Sequence, residues 1–130
     1  MSVEIGIKGR IDSTVTPQNT AMAAASGTLP VFGTPFMAAL MEGAAVAALA
    51  PCMGVGESSV GTRLEITHDA ATPLGMAVWA EAEVTAVDRR KICFSVRAFD
   101  AAGQIGGGTH ERFIIDAEKF LSKAQSRKDV

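Results

Sequence analysis

The sequence predicts an α+β fold in which an antiparallel sheet curls around one long, apolar central helix. Three observations carry this expectation. Phe36 to Ala50 is almost unbroken Ala, Leu, Met and Val, too apolar on every side for a helix laid on a surface. From Val60 to Ile115 the chain breaks into runs with a two-residue alternation, parted by short turns. A first strand precedes the helix over Val3 to Ile11, where Val3, Ile5 and Ile7 alternate with Glu4, Gly6 and Lys8.

In chain order, Thr14 to Gly27 is rich in Thr, Ala, Ser and Gly and reads as a loop or loose turn. Leu29 to Phe32 is a short extended piece. Thr34 is an expected N-cap, Pro35 suits the first helical position, and Pro51 stops the helix, which therefore runs from about 35 to 50. Its many alanines would let a sheet approach closely.

Four strands follow in a meander from about 60 to 115. Val60 to His68 puts Leu64, Ile66 and His68 on one face. After a turn at Ala71 to Gly75, Met76 to Val87 sets Val78, Ala80, Ala82 and Val84 against Trp79, Glu81, Glu83 and Thr85. Asp88 to Lys91 reads as a hairpin turn before Ile92 to Phe99. A second turn at Asp100 to Gln104 leads into Ile105 to Ile115, where Gly106, Gly107 and Gly108 predict a bulge or a close backbone approach. Asp116 to Ala124 is expected as a short closing helix. A strand, a long buried helix and an antiparallel meander make the hot-dog architecture.

The 130 residues are expected to form one domain, 1–130, and so short a chain leaves surface that a second copy could cover. A net charge of −2 gives no footprint for nucleic acid, and no basic stripe argues for a membrane surface. Cys52 and Cys93 have no metal-ligand spacing and, without an export signal, read as reduced thiols in a cytoplasmic protein. The Pro35 to Pro51 run is interrupted by Glu42 and is too short to span a bilayer.

Few residues can carry chemistry. Glu42 lies within the apolar helix, where a carboxylate either shifts its proton affinity, as a general base requires, or lies on a wet stripe. His68 is either a hydrogen-bonded core histidine or an acid–base group. Gly61 could offer a backbone N–H to a developing oxyanion. His110 and Arg112 share one strand face and Glu111 takes the other. Arg89, Arg90 and Lys91 form a solvated turn or meet a phosphate. Phosphate loops, metal clusters and nucleophile elbows are missing from the sequence.

Several segments together resemble one branch of the hot-dog superfamily, the fluoroacetyl-CoA thioesterase-like family. They are Val31-Phe32-Gly33-Thr34-Pro35-Phe36-Met37 with Leu40-Met41-Glu42, Val60-Gly61-Thr62, Thr67-His68-Asp69-Ala70-Ala71-Thr72-Pro73-Leu74-Gly75, and Gly108-Thr109-His110-Glu111-Arg112-Phe113. The resemblance covers roughly Leu29 to Phe120. It implies a catalytic group of Thr34, Glu42 and His68, with Glu42 as base or nucleophile towards the thioester. His68 then acts in acid–base and electrostatic roles, and the Thr34 hydroxyl positions carboxylate and substrate. It implies a Gly61 backbone contact near the acyl group, Arg112 near the acyl pocket, and a homodimer with its site at the subunit interface. CoA enters as part of the substrate and no separate cofactor is implied.

Phenylalanines in the family's lid-like segment correspond here to Ala25 and Thr28, and an aromatic after the helix glutamate corresponds to Gly43. An apolar lid excludes water and senses the acyl group. A short or medium acyl-CoA other than the fluoroacetyl ester is therefore expected. The alternatives are a non-catalytic binder of acyl-CoA or another small ligand on the same fold, and a hydratase. The hydratase is disfavoured by the position of His68 on a strand.

Overall fold

The structure is a computed structural model that describes residues 2–129. Strand β1 (Lys8–Thr14) is followed by helix α1 (Thr34–Leu49), which a 3-10 turn at Ala50–Cys52 extends. Strands β2 (Glu57–His68), β3 (Ala77–Asp88), β4 (Lys91–Asp100) and β5 (Gly103–Asp116) come next, and helix α2 (Ala117–Ser126) follows. All strand pairs are antiparallel and the sheet order is β1-β3-β4-β5-β2.

That order corrects the expected four-strand meander. Only β3, β4 and β5 form one; β2 pairs with β5 at the far edge and not with β3. Alternation along a strand fixes which face is apolar but not which strand lies alongside. The Asp69 to Met76 segment is therefore a crossover. Thr72 pins it, donating its hydroxyl to Asp100 Oδ2 at 2.7 Å, with both residues buried. The Thr72 carbonyl accepts from Phe32 N–H at 2.9 Å, and Val31 bridges Pro73. The short extended piece before the helix is thus tied to this crossover.

The first strand also starts later than Val3. Ile7 N–H bonds the Glu4 carbonyl and Gly6 has φ +96°, so the chain turns there and leaves Ile5 69% exposed. Pairing then runs on through the polar Asp12, Ser13 and Thr14, matched to Trp79, Val78 and Ala77.

Val78, Ala80, Ala82 and Val84 of β3 and Ile92, Phe94, Val96 and Ala98 of β4 are buried and face α1. Small residues set the spacing. A Cβ on Gly9 would lie 2.1 Å from the Ala44 carbonyl oxygen and 2.4 Å from Ala48 N, so strand and helix backbones nearly touch. Gly106 and Gly108 are likewise close approaches, to the β2 carbonyls of Thr67 and Glu65. Two register shifts lie away from these glycines, at Gly61/Arg63 and Val84/Ala86. The third, at Ala98/Phe99, falls opposite Gly106 and Gln104 and makes a bulge at Ile105, directly before the glycine run.

The helix is not buried all round, as its composition suggested. One face is buried through Met37, Met41, Ala44, Ala45, Ala48 and Leu49, while Val46 is 47% exposed. Thr34–Cys52 is apolar and long enough to cross a membrane by composition, in contrast to the length expected from the sequence, yet here it packs on the sheet. The Asp88 to Lys91 hairpin forms around Arg89 (φ 56°), and Arg90 is structural: its Nη1 donates to the Ile114 carbonyl and lies 3.6 Å from Glu57. Asp116 caps α2 by accepting from Lys119 N–H.

Candidate active site

Thr34 begins the site. It was expected as an N-cap, but Gly33 is the cap residue and Thr34 is the first helical residue. Its hydroxyl makes no capping bond and lies 2.8 Å from His68 Nδ1 at the end of β2. The other ring nitrogen, Nε2, is buried with no hydrogen-bond partner among the described residues. In either tautomer one polar demand of His68 is unmet, which is costly unless something outside this chain meets it. Burial pushes the His68 pKa below its ordinary value, and the Ala70 backbone and the Asp69 charge oppose that shift. Thr34 and His68 line a cavity of about 220 Å³ together with Phe32, Asp69 and Ala71.

A second cluster lies along the same helix. Glu42 lies eight positions beyond Thr34, about 12 Å at the α-helical rise. Glu42 Oε2 is 3.6 Å from Arg112 Nη1, with the carboxylate side chain 43% exposed and the guanidinium 7% exposed. Glu42 is therefore neither sealed in the core nor on a purely wet stripe: one side meets a buried cation and the other is open. Among the described residues no hydrogen bond joins Glu42 to Thr34 or His68.

Arg112 is fixed on β5 by three contacts. Nε donates to Ser59 Oγ at 2.9 Å, Nη2 donates to the Ser59 carbonyl at 3.0 Å, and Nη1 lies 3.2 Å from His110 Nε2. Burial pushes its pKa down and the Glu42 charge raises it, but a guanidinium stays charged throughout the accessible range. Gly61 makes room for this group. A Cβ there would fall 2.8 Å from Glu42 Oε2, 3.1 Å from His110 Cε1 and 3.2 Å from Arg112 Nη1. The bulge in β2 follows directly, with Gly61 opposite Arg112 and Arg63 opposite Glu111.

The sequence residues thus fall into two groups, Thr34 with His68 and Glu42 with Gly61 and Arg112. Ala25 and Thr28, expected from the resemblance at lid positions, are exposed, Ala25 with φ 54°, and Gly43 is half-buried beside Ile11. Sequence reasoning gave no role to His110 or Ser59. The available signal was the His110–Arg112 alternation on an inward strand face, where two polar side chains must satisfy each other. Cys52 and Cys93 are free, and no group of three or more potential metal ligands occurs among the described residues.

Comparison with known proteins identifies the family. The profile of the fluoroacetyl-CoA-specific thioesterase family matches residues 15–118. The fluoroacetyl-CoA thioesterase of Streptantibioticus cattleyicolor is 46% identical over 97 residues, covering 75% of this chain and 70% of that protein. A crystal structure of a phenylalanine-to-alanine variant of the fluoroacetyl-CoA-specific thioesterase, in complex with fluoroacetate and CoA, superposes with a TM-score of 0.85. It is 40% identical and covers 91% of this chain and 99% of that one. A hot-dog-like protein from Thermanaerovibrio acidaminovorans gives a TM-score of 0.85 at 25% identity, covering 95% of this chain and 91% of that one. On these grounds the chain belongs to the fluoroacetyl-CoA-specific thioesterase family, within the hot-dog fold.

Proposed function

We propose that this protein hydrolyses a short or medium acyl-CoA to the free acid and CoA, using Glu42, His68 and Thr34. One observation carries the reading: Thr34 orients His68 through Nδ1 and leaves the buried Nε2 unsatisfied at the end of a small cavity. An imidazole held in this way can exchange a proton with a ligand. Glu42 either attacks the thioester carbonyl or takes the proton of an attacking water. If water attacks, the carbon–sulfur bond breaks as the proton taken from water passes to the departing sulfur. If Glu42 attacks, the sulfur takes a proton from solvent as it leaves, and water then hydrolyses the mixed anhydride on Glu42 to the free acid. Gly61 and Arg112 stand beside that carboxylate as contacts for the acyl end. The relative's complex with fluoroacetate and CoA supports the substrate class.

Homodimerisation is part of the proposal. It is supported by the unpaired outer edge of β2, by the uncovered apolar face of α1 at Val46, and by the open side of Glu42. A site at the subunit interface would close around both clusters. A cytoplasmic setting accords with the free thiols Cys52 and Cys93. The small, exposed Ala25 and Thr28 favour acyl groups other than fluoroacetyl.

Thiol release from acyl-CoAs of increasing chain length tests the reading. Efficient turnover of one short or medium ester supports it. Binding of CoA esters with no thiol release would replace it with a non-catalytic acyl-CoA binder.

A further inference from the structure

His110 is 1% exposed, and its two ring nitrogens meet partners of opposite kinds. Nδ1 lies 2.7 Å from the Arg63 carbonyl of β2, which can only accept, so Nδ1 carries the proton. Nε2 lies 3.2 Å from Arg112 Nη1, which can only donate, so Nε2 is bare. The surroundings therefore select one form, the neutral Nδ1–H imidazole. Ser59 already takes Nε and Nη2 of Arg112, so Nη1 is the one nitrogen left to span His110 and Glu42.

We propose that His110 is a positioning residue, whose bare Nε2 aims Arg112 at Glu42 and holds the carboxylate in the gap that Gly61 leaves open. The inference rests on the reading of Glu42 as the acting carboxylate. A second proton would set an N–H of His110 against an N–H of Arg112 and push the guanidinium away. The groups facing the ring are Glu42 from α1, the Arg63 carbonyl from β2, the Phe94 ring from β4 at 6.0 Å, and Arg112 from its own strand, while Glu111 acts through its charge from the other face. Burial and Arg112 favour the neutral ring, while the Arg63 carbonyl, Glu42 and Glu111 oppose them.

Two substitutions separate the ring's ends. In His110→Gln the side-chain carbonyl reaches the place of Nε2, accepts from Arg112 and cannot gain a proton. In His110→Asn the polar group stops near Nδ1 and Arg112 loses its acceptor. With folding checked by circular dichroism, His110→Asn is expected to lower kcat about tenfold or more with little change in KM, since a hydrogen bond to a charged group is lost. His110→Gln is expected to keep kcat within about threefold and to extend activity to lower pH than wild type.

Equal losses in two folded variants, or full kcat in His110→Asn, would overturn the proposal. Nitrogen-15 shifts of the wild-type imidazole near neutral pH give a readout independent of turnover. Protonation at Nδ1 with Nε2 bare is expected, and protonation at Nε2 would overturn the proposal even if neither variant folds. Glu42→Gln tests the underlying reading separately: retained thiol release there removes Glu42 as the acting group, while the imidazole shifts still judge the His110–Arg112 geometry.

Discussion

Thr34 Oγ1 and His68 Nδ1 are 2.8 Å apart, joining the first residue of α1 to the last residue of β2. The helix begins one residue earlier than a Thr34 cap would require, and this frees the hydroxyl for the imidazole. Thr34→Ala is therefore predicted to cost little stability, under about 1 kcal/mol, because no cap is lost. Activity is predicted to fall by about tenfold to a hundredfold as His68 loses its anchor. Thr34→Ser retains the bond and most of the activity. Urea denaturation beside thiol-release kinetics separates the two effects.

Gly61 is predicted to be intolerant of even one methyl group. In Gly61→Ala the new Cβ would meet the Glu42 carboxylate, the His110 ring and Arg112 together. Glu42 can swing aside because one side of it is open, so the protein should fold. The displaced carboxylate should lower kcat/KM by about tenfold or more, since small misplacements of reacting groups are expensive. Wild-type kinetics in this variant would show that the gap at Gly61 has no functional role.

Gly9→Ala should behave in the opposite way. Its Cβ would strike the backbone of α1 at Ala44 and Ala48, which cannot yield as a side-chain tip does. A destabilisation of about 1–3 kcal/mol or more is expected from overpacking. Denaturant midpoints measure it, and the folded fraction should keep wild-type KM.

Both histidines predict a stability that falls in acid. Burial lowers the pKa of His68 and of His110 below the ordinary histidine value of about 6.5. The unfolded chain therefore binds protons first as pH drops. Stability attached to the neutral rings is fully present above the unfolded value and is lost as pH falls from there through the lowered folded values. Thermal midpoints between pH 7.5 and 5 should decline, and His110→Gln should flatten part of that decline. A midpoint that rises on acidification would contradict the assignment.

The helix and the strand faces were legible because each is written in local residue order. Thr34-Pro35 and Pro51 bracket α1, and Leu64, Ile66 and His68 share a face as their spacing requires. The position of β2 was not legible, since the Thr72–Asp100 bond that pins the crossover joins residues 28 apart in the chain. The same holds for the second cluster. Arg112 touches Glu42 from α1 and Ser59 from β2, and nothing local to residue 112 announces either neighbour. Resemblance singled out Thr34, Glu42 and His68 as candidates, whereas the role proposed for His110 needed the two distances at its ring nitrogens.

The central claim is that Glu42 and the Thr34–His68 pair act on one thioester. Its most direct test is single-turnover thiol release from the best acyl-CoA by wild type, Glu42→Ala and His68→Ala, each shown to be folded. The account predicts that either substitution lowers the rate by at least about a hundredfold while CoA ester binding persists. Near wild-type release in either folded variant would contradict it.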